Sequence, residues 1–443
     1  MFQQLPLKQG TILLESVSSH SEISQYSFIV TEPYAIVRSI GGRTFVMNEG
    51  KSFLTNDDTL NVVRKLLLER THIAHRASEF FSGGAVGYVS YDFGMTLENI
   101  SSRHSKTNTF PEIFFGLYDS VLCFNHKTKE WNLNSVENGA RSGENYKLRI
   151  TNYELLSQIS NFKPRTHFLI PDFNRKQYCE AVEKIKNYIA NGDVYQVNLS
   201  QRFWGKTTSS PLTIYNSLRE KNPAPFSAMM CIDENRFVFS SSPELFLNVN
   251  GKEIETRPIK GTIQRGRNFE EDELLKLQLL NSKKDAAELL MIVDLERNDL
   301  NKVCEKNSVR VENLKRIETY ETVHHLVSNV KGTLREDNDA FDVLKAIFPG
   351  GSITGAPKIR AMEIIDELEK CKRGIYTGAI GYIGFDGNAK FNIAIRTMML
   401  ENDSIWFNVG GGIVADSIAE KEYEETLHKA SGMLKALNVN FRF

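Results

Sequence analysis

The stretch TGAIGYIGFDGNAKFNIAIRTMMLENDSIWFNVGGGIV, Thr377 to Val414, carries the pattern that decides the fold. Its period is two, so Ala379 to Phe385, Lys390 to Leu400 and Ser404 to Val409 read as three strands, joined by the turns FDGN and ENDS. A helix follows from near Ala419 and carries Glu422, Glu425 and Leu427. Strands and helices come in blocks, without the strict alternation of a doubly wound parallel sheet. That ordering predicts an α+β layered sandwich.

Upstream, the loop PGGSITGAPKIRA (Pro349 to Ala361) lies between two short helical segments, Phe341 to Ile347 and Ile359 to Leu368. Residues 270 to 300, rich in Leu and Glu, read as one long helix or two abutting ones. Tyr178, Val182, Ile185 and Ile189 recur at helical spacing until Gly192, and YQVNLSQRF beyond it alternates like a strand. Residues 1 to about 160 mix short strand-like runs with polar loops and hold FSGGAVGYVSYDFG, Phe81 to Gly94. Asn161 to Asp172, with Pro164 and Pro171, reads as a connector.

At 443 residues the chain is long enough for two domains or one large interleaved one. Hydrophobic content of 41% and charged content of 25% are those of a soluble globular protein. A formal charge of −1, with no basic block, argues against a general polyanion binder. The longest apolar runs, such as Ala286 to Val293, are far short of a membrane span. The opening MFQQLPLKQGTILLES lacks a basic-then-apolar leader pattern. Cys123, Cys179, Cys231, Cys304 and Cys371 are scattered and never form a CxxC pair, which points to a reducing cytoplasm.

Asp285 and Glu288, in KKDAAELLMIVDLERND, stand three apart on the predicted helix, so both carboxylates share a face. Glu422 and Glu425, in EKEYEETLHKA, repeat the arrangement near the C-terminus. Such pairs read in two ways. They are solvated helix faces, or hard oxygen donors for Mg²⁺, which takes one or two carboxylates with waters and substrate oxygens. Gly410, Gly411 and Gly412 can bring backbone N–H groups to an anion or simply make a tight turn. Arg396, in the strand NIAIRTMML with the parity of Asn392 and Ala394, can clamp a carboxylate. Ser352 and Thr354 stand before a helix N-terminus, where they receive an anion or cap the helix.

Taken together, these segments resemble the chorismate-binding enzymes, a family that includes anthranilate synthase, aminodeoxychorismate synthase, and the isochorismate and salicylate synthases. The blocks are SSPELF (241–246), RPIKGT (257–262), DAAELLMIVDLERNDL (285–300), HHLVSNVKG (324–332), GSITGAPKIRAME (351–363), YTGAIGY (376–382), IAIRT (393–397) and VGGGIVADS (409–417). The likeness runs from about Asp172 to the C-terminus. ILLES (12–16) and GGAVGYVSYD (83–92) are similar, more loosely, to N-terminal parts of the amine-transferring members. The resemblance implies an α/β/β/α sandwich of two packed antiparallel sheets, with a region 1–165 interleaved with a catalytic domain 166–443. It also implies Mg²⁺ held directly by Glu288 and Glu425, and through water by Asp285 and Glu422. Gly410, Gly411 and Gly412 would offer amides to the ring carboxylate of chorismate. Arg396 and Tyr376 would hold its enolpyruvyl carboxylate, with His325 beside the ring and Ser352 close by.

Two positions point to a branch. Isochorismate and salicylate synthases carry a lysine base in the strand that here reads VYQVNLSQRF; Gln196 stands at that position and cannot act as that base. Anthranilate synthases read PIAGT where this chain reads PIKGT, and Lys260 resembles the mark of the aminodeoxychorismate synthases. The resemblance then implies that Lys260 adds to carbon 2 while Glu244 protonates the departing carbon-4 hydroxyl. Ammonia would come from a separate glutamine amidotransferase subunit, toward 4-aminobenzoate and folate. Ile263 and Gln264 depart from the family's Arg-Pro after PIKGT, Asn301 from its glycine and Ala419 from a common proline, which bears on the loop near Lys260. Leu14, Glu15 and Ser16, with Asn222, Pro223, Pro225 and Phe226 of NPAPF, resemble the regulatory tryptophan pocket of anthranilate synthase, the rival activity. A chorismate-binding regulatory subunit without turnover is the alternative from another class.

Overall fold

The computed structural model describes residues 7–17, 25–71, 80–104, 109–135, 163–321 and 323–439. Within them the strands form two antiparallel sheets, of eleven and twelve strands. Val86 and Phe114 of the second sheet pack against Met230, Val238 and Met399 of the first, making a core between the sheets. Helices Pro211–Lys221 and Ala419–Ala436 cover the outer face of the first sheet, with Ile214, Leu218, Leu427 and Met433 against Phe203, Phe239 and Phe407. Helices Thr59–Thr71, Lys283–Asn301 and Ala340–Ile347 cover the second. The result is the α/β/β/α sandwich that the resemblance implied.

Both sheets draw on both ends of the chain. In the first, Ile12–Glu15 pairs with Phe226–Cys231; in the second, Gly84–Val89 pairs with Ala379–Gly384. Gly84–Val89 and Ile113–Tyr118 are buried at every position, as strands covered on both faces must be. The helical stretch 270 to 300 resolves into Phe269–Leu280 and Lys283–Asn301. Ser282 separates them by accepting the Asp285 N–H at 3.3 Å, an N-cap that starts the second helix afresh.

Three sequence expectations are corrected. The connector contains a strand, Thr166–Pro171, at the edge of the first sheet, where the missing N–H of Pro171 costs little; residues 161 and 162 lie outside the described residues. The strand Ser404–Ile413 does not stop at Val409, and the three glycines lie inside it, opposite Asn198, Leu199 and Ser200. Lys390 to Leu400 is two strands, Ala389–Ile393 in the second sheet and Thr397–Glu401 in the first. Between them Arg396 takes a left-handed backbone (φ 52°), so it sits at a crossing between sheets and not on a strand face. A second crossing lies beside it, from Arg236–Ser242 in the first sheet to Leu245–Asn250 in the second. The two crossings open the sheets where Glu244 and Arg396 stand. Among the described residues no helix is long and apolar enough to cross a membrane, and all five cysteines are free.

Candidate active site

Lys260 lies in the strand Ile259–Gln264, whose register against Val323–Thr333 shifts between Ile259 and Thr262. The extra residue is a β-bulge, with Gly261 at φ +78°, and such a bulge re-aims the side chain beside it. A side chain at Gly261 would also meet Asp285 Cγ at 2.9 Å, so glycine is required twice over. Ile263 and Gln264, which depart from the family pattern, belong to this strand and pair with His324 and Val323, and the segment just beyond them is pinned. Arg265 donates to both oxygens of Asp272 at 2.8 and 2.9 Å, and Gly266 N–H and His324 reach the same carboxylate.

The Lys260 ammonium reaches the Ser352 carbonyl at 3.4 Å. Burial holds it below the usual lysine range, opposed by Glu288 and reinforced by the charge of Lys429. Glu244 is buried in the neighbouring crossing, against the Ser352 hydroxyl and the Ile259 amide, and its Oε1 has no hydrogen-bond partner. Burial raises its pKa, as a proton donor requires.

The two acidic helices converge on this point. Burial raises Glu288, Lys260 opposes it, and Asp285 and Glu425 add to it. Burial likewise raises Glu422, against a 2.7 Å hydrogen bond from Ser417. Glu425 goes the other way: burial pushes it up, but the ammonium of Lys429 at 2.7 Å outweighs that and lowers it. Lys284 lies 3.9 Å from Glu288 on its own helix and also favours ionised Glu422 and Glu425 across the gap. The donor set is all oxygen, which suits a hard cation. Among the described residues no three His, Cys, Asp or Glu side chains are grouped closely enough to hold a metal ion by themselves. Paired carboxylates completed by water and substrate oxygens are nevertheless what Mg²⁺ takes.

Across from the acids lies the anion side. Glu401 and Ser404 close a two-residue hairpin, and the pairing of their strands ends at Met398 opposite Phe407. By the alternation of an antiparallel ladder, Gly410 and Gly412 therefore turn their N–H and C=O groups to an edge with no strand partner. Arg396 stands just before that shortened strand; among the described residues its Nη1 reaches Asn222 Oδ1, at 3.4 Å. Tyr376 is buried under the Arg373 guanidinium, and Thr377 beside it is held at φ 61°, strain of the kind that accumulates at functional sites. Gln196 is fully buried with both amide atoms unpartnered, and its Nε2 lies 2.6 Å from where a Gly412 Cβ would stand. His325 shares a 2.8 Å hydrogen bond with Thr262, and burial lowers its pKa to about 3, so it is neutral.

Two residues escaped the sequence reading. Lys429 bonds both Glu425 and the Gly410 carbonyl (2.9 Å); its signal was the i,i+4 spacing from Glu425. Arg373 donates to Glu369 at 2.7 Å, to the Asn198 carbonyl at 2.6 Å and to the Ile353 carbonyl at 2.9 Å, tying three walls of the site together. Only the fold could reveal that.

Leu14, Glu15, Ser16, Pro225 and Phe226 line a separate cavity of about 230 Å³, with Phe28, Phe81, Tyr382 and Lys390. Asn222 and Pro223 are not part of its lining, and Asn222 belongs instead with Arg396.

The family profile described as chorismate binding enzyme matches residues 10–435. Aminodeoxychorismate synthase component 1 of Bacillus subtilis is 38% identical over 437 residues, 97% of this chain and 92% of that protein. Anthranilate synthase component 1 of Aquifex aeolicus is 39% identical over 445 residues, 97% of this chain and 90% of that protein. The solved anthranilate synthase component I from Streptococcus pneumoniae is 33% identical, with a TM-score of 0.79 over 94% of this chain and 93% of its own. The chain belongs to the chorismate-binding enzyme family.

Proposed function

We propose that this chain is component I of aminodeoxychorismate synthase, converting chorismate and ammonia to 4-amino-4-deoxychorismate on the way to 4-aminobenzoate and folate. The observation that carries the reading is Lys260, aimed by a bulge between Glu244 and Glu288 and held below the usual lysine range by burial. Glu288 and Glu425 would hold Mg²⁺ directly, and Asp285 and Glu422 through water. Bound there, Mg²⁺ would neutralise the ring carboxylate and draw electron density from the ring. Without it, the clustered carboxylates Glu288, Glu422 and Glu425 face the ammonium groups of Lys260, Lys284 and Lys429, a poor reception for a dianion.

In the proposed route the neutral Lys260 amine adds to carbon 2, the ring double bonds shift, and the carbon-4 hydroxyl leaves as water with the proton of Glu244. Ammonia then bonds to carbon 4, the electrons return, and the carbon–nitrogen bond to Lys260 breaks. Glu244 recovers a proton from the incoming nitrogen. Arg396 and Tyr376 would hold the enolpyruvyl carboxylate, and the free amides of Gly410 and Gly412 the ring carboxylate. Gln196 supplies no base for water, which favours ammonia as the nucleophile. Ammonium must lose a proton to react, so delivery by a glutamine amidotransferase subunit suits this chemistry.

The second reading is anthranilate synthase component I, supported by its relatives of that name and by the cavity at Leu14 to Ser16. Pure protein given chorismate, Mg²⁺ and ammonium salt separates the two. We expect aminodeoxychorismate, with pyruvate retained and a Lys260 adduct visible by mass spectrometry when ammonia is withheld. Fluorescent anthranilate with free pyruvate would establish the rival. Undiminished turnover in Lys260→Ala would remove the covalent route.

A further inference from the structure

We propose that Lys429 is a tethered counter-ion that fills the cation position between the second acidic helix and the glycine strand, and that a divalent metal must displace it. The inference rests on the metal reading above. Lys429 Nζ lies 2.7 Å from Glu425 Oε1 and 2.9 Å from the Gly410 carbonyl. Seen from Gly411, where a Cβ would stand, Glu422 Oε2 and Glu425 Oε1 are both at 3.5 Å and Lys429 Nζ at 3.7 Å. The ammonium thus occupies a place where a cation would meet Glu425 and the strand backbone, with Glu422 on the same side of Gly411.

An ordinary i,i+4 surface pair explains only half of this. It accounts for the bond to Glu425 but not for the second, to a carbonyl on a different element that has no strand partner on that edge. The other helix offers the contrast. Lys284 is also four residues from its glutamate, yet lies 3.9 Å away and is 59% exposed, with no hydrogen-bond acceptor among the described residues. The two glutamates assigned to the metal are therefore unequal: Glu288 is open to an incoming ion, while Glu425 is already engaged. A metal bridging Glu288 and Glu425 Oε1 would displace the Lys429 ammonium from that oxygen. Monovalent cations have little to gain by doing so.

The test is metal binding without chorismate. Titration of the full-length protein with MgCl₂ by calorimetry, and with Mn²⁺ by electron paramagnetic resonance, gives affinities that do not depend on turnover. Lys429→Met keeps the stem but removes the charge, and should bind about fivefold more tightly, the worth of one exposed ion pair. The gain should shrink as salt rises, and Lys429→Arg, which keeps the charge, should stay close to wild type. Unchanged or weaker binding in a folded Lys429→Met protein overturns the proposal. Wild-type protein that takes up neither ion removes the metal reading and this proposal together, whereas normal uptake with an unaltered variant removes only the proposal. Should Lys429→Met fail to fold, Lys429→Gln carries the same comparison.

Discussion

Gly411→Ala separates stability from function at one methyl group. The added Cβ would lie 3.5 Å from Glu422 Oε2, 3.5 Å from Glu425 Oε1 and 3.7 Å from Lys429 Nζ, all ordinary contacts. The fold should therefore keep its stability to within about 1 kcal/mol. The same methyl intrudes on the space through which a cation held by Glu425 would face the strand. Displacing a reacting geometry by about 1 Å can cost roughly 100-fold in turnover. Gly410→Ala is the control of opposite kind. Its Cβ would stand 2.5 Å from the Leu199 carbonyl oxygen and 2.8 Å from Ser200 Cβ, on a strand that cannot yield, so about 3 kcal/mol of stability should be lost. Urea melts and ammonia-dependent chorismate turnover measure the two effects side by side. A Gly411→Ala protein that melts normally and keeps a third or more of wild-type turnover would falsify the placement of the cation over this strand.

Glu288→Gln and Glu425→Gln should each abolish Mg²⁺-dependent turnover while leaving circular dichroism unchanged; full activity in either overturns the ligand assignment. Arg373→Met strands Glu369, whose side chain is 4% exposed, without its 2.7 Å partner. It should cost about 3–5 kcal/mol in a denaturant melt, and a loss under about 1 kcal/mol would show the pair to be dispensable. Glu296 accepts a hydrogen bond from Thr256 at 2.5 Å, and burial raises its pKa to about 8. Because the folded state keeps a proton that the unfolded chain has released, stability falls as pH rises from the usual carboxylate range to about 8, with a slope of at most about 1.4 kcal/mol per unit. Glu296→Gln should flatten that slope, and identical slopes in the two proteins would refute the assignment.

Much of this was legible because local patterns and the fold agree. The i,i+3 spacing of Asp285 with Glu288 and of Glu422 with Glu425 did put each pair on one helix face, and the two faces do meet. The period-two reading located the strands around Thr377 to Val414 but ran through Arg396. A residue entering left-handed backbone leaves no mark on hydrophobic alternation when neither glycine nor asparagine is used. Thr166–Pro171 was hidden by two prolines that suggest a loop, although at a sheet edge Pro171 forfeits no needed donor. The second partner of Lys429, and the role of Arg373, were hidden for a different reason. Each also bonds a backbone carbonyl on another element, and no side-chain motif records such a partner.

The sharing of each sheet between the two ends of the chain has a consequence for how the protein is made. Gly84–Val89 emerges from the ribosome long before Ala379–Gly384, the strand that covers its edge. Until then its apolar faces and unpaired amides are exposed to self-association, a hazard of non-local strand pairing that slows folding and calls on chaperones. The crossings at Glu244 and Arg396 exist only once both sheets have closed, so the site is among the last features to form. Nonsense mutations or premature release should therefore give aggregates or degraded chains, never a partially active fragment. Activity in the cell would track the yield of finished chains.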